Sequence, residues 1–149
     1  MKVLAFDTAT TTGWALVEDG TVIESGTRSF PKSRGESNGI VFLRFRSWLA
    51  EVTGLTSPDV IVYELAHYRG GAATELCVGL QTRVMEVAEA LSLPYAGYHT
   101  GTLKKWATGS GRGNKDDMLR AAAERGYPVE DDNEADAILL GLMASEKLG

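Results

Sequence analysis

The sequence predicts a single α/β domain in which a mixed five-stranded sheet, three antiparallel strands followed by two parallel ones, carries helices on both faces. Two observations lead to this fold class. The first thirty residues alternate as strands do, and the rest of the chain alternates short β-rich runs with stretches of helical spacing. At 149 residues and 44% hydrophobic content, the chain is long enough for one core and too short for two ordinary domains.

The first three strands are expected to pair antiparallel. The apolar run 3–6 predicts a buried strand that ends in Asp7, and a hydroxyl-rich turn leads into a second strand over 14–17. An Asp-Gly step then predicts a tight hairpin to a third strand over 21–27. Residues 31–39 are polar and rich in turn formers, which predicts a loop that could contact a partner.

The second half of the chain alternates helices and strands. Apolar residues at helical spacing between Val41 and Val52 predict a helix that packs on the sheet. The run 60–63 predicts a fourth strand, which again ends in a carboxylate, Glu64. The remaining expected elements are a helix over 74–91, a strand over 94–98, a short helix over 100–106 capped by Thr100, a helix capped by Asn114 that stops at Gly126, and a last helix from about Asn133.

Cysteine content and hydropathy bear on the cellular setting. Cys77 is the only cysteine, so the chain can form neither an intrachain disulfide nor a cysteine cluster for zinc. We expect Cys77 to be a small core residue and the setting to be reducing. The first residues meet a carboxylate too early for a signal peptide, and no stretch reaches the roughly 18 apolar residues of a membrane span. These observations predict a cytoplasmic protein.

Charge is unevenly distributed along the chain. The net charge of −5 argues against a nucleic-acid partner on average, because phosphate binding needs Lys and Arg. However, residues 116–136 hold eight carboxylates and two arginines, and two other segments hold basic residues without acids. A basic segment beside an acidic cluster suits a site where a divalent metal meets phosphate, although a solvated surface of uneven charge gives the same pattern. The basic residues are Lys104, Lys105, Arg112 and Lys115 in one segment, and Arg28, Lys32 and Arg34 in the other.

Three acidic positions are candidates for a metal site. If the first and fourth strands are adjacent and parallel, Asp7 and Glu64 lie side by side and need a cation between them. Asp136 interrupts an apolar stretch, where an unpaired charge facing the core is costly. Asp132 and Asn133 share its helix face. Hard oxygen ligands with no cysteine or histidine nearby favour Mg²⁺ or Mn²⁺.

Simpler roles stay open for some of these residues. Asp7 alone could cap the turn that follows it, because aspartate readily accepts hydrogen bonds from the backbone just after it. Asp131 is expected to cap the last helix, whose dipole also favours Glu134. Asp132 and Asn133 fit either capping or ligation.

Four segments of the chain together resemble the RuvC family of Holliday junction resolvases, which belong to the RNase H-like superfamily. The resemblance covers nearly the whole chain. In RuvC proteins the basic segment carries a lysine, a glycine-containing loop and a second lysine at similar spacing. The segments are Leu4-Ala5-Phe6-Asp7 with Gly13-Trp14-Ala15, Val60-Ile61-Val62-Tyr63-Glu64, the basic stretch 103–115, and Asn133-Glu134-Ala135-Asp136-Ala137.

The resemblance implies roles for individual residues. It implies metal-binding acids at Asp7, Glu64 and Asp136, and basic residues near the scissile phosphate at Lys104 and Lys115. The family commonly has an acid or histidine three residues before the last aspartate. Asn133 stands there in this chain, with Asp132 beside it, so either residue is a candidate fourth ligand. The implied DNA-binding residues are His67, Tyr68, Arg69, Lys104, Lys105, Arg112 and Lys115, of which His67 or Tyr68 would stack on an opened base.

The activity implied by the resemblance is Mg²⁺- or Mn²⁺-dependent resolution of four-way DNA junctions. Two metal ions would activate water and stabilise the leaving 3′ oxygen, and paired nicks would leave 5′-phosphate and 3′-hydroxyl ends. The near-twofold symmetry of a junction favours a homodimer with two active sites.

Two other functions fit parts of the sequence. The Asp-Thr turn after the first strand is also typical of ATP-binding domains of the sugar-kinase and actin-like superfamily, or of related proteins of tRNA threonylcarbamoylation. Those chains are usually longer, and they do not require Glu64 together with the Asn133 to Asp136 cluster. A junction-binding module without catalysis is the third hypothesis, and Asn133 would be its signature.

Overall fold

A computed structural model describes residues 1–66 and 70–149 of the chain. Within these residues, five strands and five helices follow one another in the predicted α/β pattern. The strands are β1 (Lys2–Asp7), β2 (Thr11–Glu18), β3 (Thr21–Ser29), β4 (Val60–Glu64) and β5 (Tyr95–Tyr98). The helices are α1 (Asn38–Thr56), α2 (Gly71–Ala90), α3 (Thr100–Thr108), α4 (Lys115–Glu124) and α5 (Asp132–Leu148).

The strands form one mixed sheet in the order β3-β2-β1-β4-β5. The first three strands pair antiparallel, whereas β4 lies parallel to β1 and β5 lies parallel to β4. Asp19 and Gly20 join β2 to β3 with φ values of 50° and 79°. Positive φ at both central residues is what a tight hairpin turn of type I′ requires. The predicted fold class is therefore confirmed.

Helices cover both faces of the sheet because β1 and β4 point apolar side chains alternately to each face. Leu4 and Phe6 join the core beneath α1 and α2. Val3 and Ala5 join the core beneath α3, α4 and α5. Helix α5 lies very close to the sheet, since a Cβ atom on Gly141 would be 2.7 Å from Val17 Cγ2. Such burial on both sides explains why these strands read as continuous apolar runs.

The helix starts show which capping predictions hold. Asn114 forms a capping box with Asp117 at the start of α4, as its position predicts. Asp131 caps α5, because its side chain accepts hydrogen bonds from the backbone amides of Asn133 and Glu134. This confirms its expected role. The prediction that Thr100 caps α3 is wrong, because His99 occupies that position and Thr100 is already helical.

No helix in the described ranges has both the length and the apolar character that crossing a membrane would require.

Candidate active site

The site lies at the edge of the sheet where β1 and β4 end. These strands are adjacent and parallel, and Phe6 is paired with Tyr63. The next residue of each strand is an acid, so Asp7 and Glu64 lie side by side as predicted. The turn after β1 is held by the buried Thr12, whose hydroxyl donates to the Ala9 carbonyl at 2.6 Å. The turn therefore has its own hydrogen bonds, and Asp7 is not needed as its cap.

Helix α5 brings the third acid to this edge. Its first turn lies directly over β2, where a Cβ atom on Gly13 would be only 1.9 Å from the Asn133 carbonyl oxygen. Ser25 of β3 also donates a hydrogen bond to Glu134 at 2.7 Å. These contacts fix the helix start against the sheet and place Asp136 beside the two strand-end acids.

The three acids form a cluster of oxygen ligands. Asp7, Glu64 and Asp136 each offer a carboxylate oxygen, and these atoms lie within 4.8 Å of one another. Each of the three residues is partly buried. Among the described residues, Glu64 Oε2 and Asp136 Oδ1 are buried and have no hydrogen-bond partner. Unpartnered buried carboxylate oxygens are costly, which makes them suitable ligands for a cation.

The pKa values of the cluster reflect burial and mutual repulsion. Burial, followed by the charges of Glu64 and Asp136, raises the pKa of Asp7 well above its ordinary value. Burial, with the charges of Glu64 and Asp132, raises the pKa of Asp136 to about 7, although Lys104 and Lys115 act in the opposite direction. Raised pKa values of clustered acids are typical of functional sites. A cation bound between the acids would lower them again.

Sequence reasoning missed the contact of Thr100 with Glu64. The Thr100 hydroxyl donates a short hydrogen bond to Glu64 Oε1, which fixes that carboxylate and leaves its other oxygen buried without a partner among the described residues. Thr100 follows β5, the strand next to β4. The carboxyl ends of neighbouring parallel strands meet at one edge, and this rule, applied to β5 as it was to β1 and β4, points to Thr100.

Two of the three lysines of the basic segment, Lys104 and Lys115, act on Asp136. Both lower the pKa of Asp136, so both are close to it. Lys115 Nζ lies 3.7 Å from Asp132 Oδ2, and its side chain is 81% exposed. Lys104 is partly buried, whereas Lys105 is exposed.

Arg112 is not among the residues that line the cavity at Asp7 and Glu64. It lines a separate cavity of about 320 Å³ between α3 and α4, together with Arg120 and Glu124. The structure thus brings Lys104 and Lys115 to the acids and does not bring Arg112 there.

The candidate fourth ligands lie at the start of α5. Asp132 raises the pKa of both Asp7 and Asp136. It is near the cluster, but its carboxylate faces Lys115, and the group of mutually close oxygen ligands among the described residues does not include it. Asn133 contributes its backbone to the close contact with Gly13.

A cavity of about 390 Å³ extends from the acids toward the start of α2. Its lining includes Asp7, Thr8, Glu64 and Cys77. Cys77 is only partly buried and lines this cavity, so its expected place in the core is wrong. Burial and the charge of Asp7 raise the pKa of the Cys77 thiol. The base-stacking and DNA-binding roles predicted for His67, Tyr68 and Arg69 fall outside the described residues.

The donor set fits a hard divalent cation. All three clustered side chains offer carboxylate oxygens, which Mg²⁺ and Mn²⁺ prefer. The raised pKa values and the two unpartnered oxygens are what a cation between the acids would relieve. The residues present therefore suit a divalent metal.

Comparison with known proteins gives matches in structure alone. No family model and no curated protein matches the chain. The structure of Thermus thermophilus RuvC matches with a TM-score of 0.78, 18% identity and coverage of 97% of this chain and 93% of that one. T. thermophilus RuvC in complex with Holliday junction substrate matches with a TM-score of 0.81, 18% identity and coverage of 99% and 94%.

A yeast protein extends the same likeness. The yeast mitochondrial Holliday junction resolvase matches with a TM-score of 0.67 and 14% identity, over 98% of this chain and 80% of that one. All three matches cover at least 97% of this chain. The chain therefore has the fold of the RuvC Holliday junction resolvases.

Proposed function

We propose that this chain is a metal-dependent, structure-specific DNA endonuclease that resolves four-way junctions by paired nicks. The observation that carries the proposal is the cluster of Asp7, Glu64 and Asp136 oxygens within 4.8 Å, with Lys104 and Lys115 close to Asp136. The fold supports the junction as substrate, because one structure with this fold, T. thermophilus RuvC, is in complex with a Holliday junction.

The three acids would hold Mg²⁺ or Mn²⁺, with two ions per site as the proposed number. When bound, such ions activate water and stabilise the leaving 3′ oxygen, which yields 5′-phosphate and 3′-hydroxyl ends. The protein's own contribution is to hold the oxygens in place before substrate arrives. Thr100 orients Glu64 by its hydrogen bond, and the contact between Gly13 and the start of α5 sets the position of Asp136.

The lysines would act on the phosphate. Phosphodiester cleavage concentrates negative charge on the transferred phosphate, and a nearby ammonium group stabilises that charge. Lys115 is held only loosely by Asp132, at 3.7 Å, and its exposed side chain can turn from this carboxylate to a phosphate. We infer that Asp132 positions Lys115. Asp132 would then lie near the metal without binding it directly.

Paired nicks call for two active sites. One chain carries a single acidic cluster among its described residues. A four-way junction has near-twofold symmetry, so a C2 homodimer would present two clusters to two equivalent strands. We therefore propose that the chain acts as a homodimer on branched DNA.

The deciding experiment is a cleavage assay on an end-labelled four-way junction with Mg²⁺, Mn²⁺ or EDTA, with forks and linear duplex of the same sequence as controls. We expect metal-dependent, symmetric nicks in the junction whose products a ligase can seal. Binding without cutting under all metal conditions would instead support the inactive junction-binding module. A rise in melting temperature with ATP, but not with junction DNA, would support the kinase-like alternative.

A further inference from the structure

A second basic segment leaves the sheet at the same edge as the acids. Ser29 at the end of β3 is paired with Thr11, and Asp7 at the end of β1 is paired with Gly13. The ends of β3 and β1 are therefore two strands apart at one edge of the sheet. With a spacing of 4.7–4.9 Å between neighbouring strands, this separation is about 10 Å.

The segment that follows β3 has a fixed conformation. Phe30 is buried in the core beneath α1, and its amide donates to the Thr10 carbonyl at 2.7 Å. Glu36 accepts hydrogen bonds from Arg44 at 3.1 and 2.6 Å and from the Ser33 amide at 2.7 Å. These contacts hold the backbone of the segment in one place.

The exposed charges of the segment are positive. Arg28, Lys32 and Arg34 are exposed, and none of them forms an ion pair within the described residues. The only acid of the loop, Glu36, is already neutralised by Arg44. Lys32 Nζ donates to Asn38 at 3.2 Å, and Asn38 donates in turn to Glu75 on α2 at 3.2 Å, which places Lys32 beside the start of α1 and the first turns of α2.

The two basic regions flank the acids from opposite sides. Lys104 and Lys115 belong to the helices that follow β5, at one end of the sheet order, whereas the β3–α1 segment, residues 28–34, follows the strand at the other end. A DNA strand that crosses the acidic cluster would therefore meet positive charge on both sides. This arrangement offsets the net charge of −5 where the DNA would lie.

We propose that the β3–α1 segment binds backbone phosphates of the same DNA, within a few nucleotides of the phosphate that is cut. The ends of β3 and β1 are about 10 Å apart across the sheet, a length that spans only a few nucleotides of one strand at a rise of about 3.4 Å per nucleotide. The contact is electrostatic and independent of sequence, because it pairs side-chain charges with backbone phosphates, which carry no sequence information. This inference rests on the proposed function.

The test compares two double variants that remove the same charge. Lys32→Gln with Arg34→Gln alters the segment, whereas Lys2→Gln with Lys147→Gln alters the opposite edge of the sheet, near the start of β1 and the end of α5. Junction binding is measured in EDTA at several salt concentrations, and thermal melting checks that both variants are folded. We expect the segment variant alone to lose roughly tenfold in affinity per contact at 0.1 M salt, with a salt slope shallower by about 0.9 per contact.

A second measurement locates the contact on the DNA. Single methylphosphonate substitutions, which remove one phosphate charge, are placed at each position within about five nucleotides of the cut. We expect one or two of these substitutions to weaken binding by the wild type and the opposite-edge variant, but not by the segment variant. Equal affinity and equal salt slope for the wild type and the segment variant would overturn the inference. Failure of the proposed function looks different, because the wild type would then neither bind nor cut the junction preferentially.

Discussion

Both edges of the sheet carry carboxylates, but those at one edge have partners within the chain and those at the other edge crowd together. At the edge where β1 begins, Asp19 binds the amino terminus at 2.7 Å, and Asp59 accepts a hydrogen bond from a backbone amide of β1 at 2.7 Å. At the edge where β1 and β4 end, Asp7, Glu64 and Asp136 are partly buried and close together. Two of their oxygens have no partner among the described residues.

The difference shows where the fold accepts an energetic cost. Carboxylates at the first edge are satisfied by the chain itself, so they contribute to the structure alone. Carboxylates at the second edge repel one another, and their raised pKa values record that repulsion together with burial. Repulsion that lowers stability in this way is typical of binding and catalytic sites. Elsewhere, a substitution could remove the repulsion without loss of function.

The largest expected effect comes from removing one charge at the acidic edge. Asp7→Asn keeps the shape of the side chain and weakens the metal site, so we expect junction cleavage to fall by at least about 10²–10³-fold, the loss typical of removing one transition-state-stabilising group. Junction binding in EDTA should be retained. The melting temperature of the metal-free protein should rise, because repulsion with Glu64 and Asp136 is relieved. Single-turnover cleavage, binding and thermal melting measure the three quantities.

The matched control is Asp19→Asn at the other edge, which loses the ion pair with the amino terminus. We expect near-normal cleavage and a slightly lower melting temperature. If Asp19→Asn lost as much activity as Asp7→Asn, or if Asp7→Asn cut the junction normally, the functional difference between the two edges would be refuted.

A smaller effect is expected from moving the start of α5 away from the sheet. Gly13→Ala would place a Cβ atom 1.9 Å from the Asn133 carbonyl oxygen, and both atoms belong to well-packed elements. Overpacking of this kind costs about 1–3 kcal/mol of unfolding free energy. Because the helix must shift, Asp136 moves with it, and we expect cleavage to fall even at temperatures where the variant is folded. Denaturant unfolding and cleavage assays test both effects.

Gly54→Ala is the control for this substitution. Gly54 lies inside α1, and a Cβ atom there would meet nothing within 4 Å. Replacing it by alanine should stabilise the helix by about 0.5–1 kcal/mol and leave cleavage unchanged. A Gly13→Ala variant that melts and cuts like the wild type would show that the close contact between β2 and α5 does not position the site.

The acidic edge also shows what sequence reasoning can reach. The placement of Asp7 beside Glu64 was predictable, because each acid ends a β-rich apolar run and parallel strands bring such ends together. The roles of Asn114 and Asp131 were predictable too, since capping depends on residues only a few positions apart.

Contacts between distant segments were beyond such patterns. Thr100 looks like a helix cap in the sequence, and its hydrogen bond to Glu64 depends on β5 lying next to β4. Likewise, the pairing of Asp132 with Lys115 depends on how α4 and α5 are oriented, which spacing within α5 does not determine. Local periodicity predicted the elements and the strand-end acids, whereas the partners of each acid required the three-dimensional arrangement.

The smallest expected effect is the pH dependence of stability without metal. Asp136 has a pKa raised to about 7, so the folded state binds more protons than the unfolded state between about pH 4 and pH 7. Its contribution to stability is therefore lost as pH rises through this range, and Asp7 acts in the same direction. Because solvent screens these partly buried groups, we expect the unfolding free energy in EDTA to fall by only about 1–3 kcal/mol from pH 5 to pH 8.

Two comparisons assign this pH dependence to the acidic edge. Asp136→Asn should flatten the pH profile in EDTA, whereas Asp116→Asn, which replaces an exposed acid of α4, should leave it as in the wild type. Mg²⁺ should raise the melting temperature more at pH 8 than at pH 5, because a cation binds the ionised acids and must displace their protons at low pH. Stability in EDTA that rises from pH 5 to pH 8 would contradict this account, since it would mean that the clustered acids favour their ionised forms even without a cation.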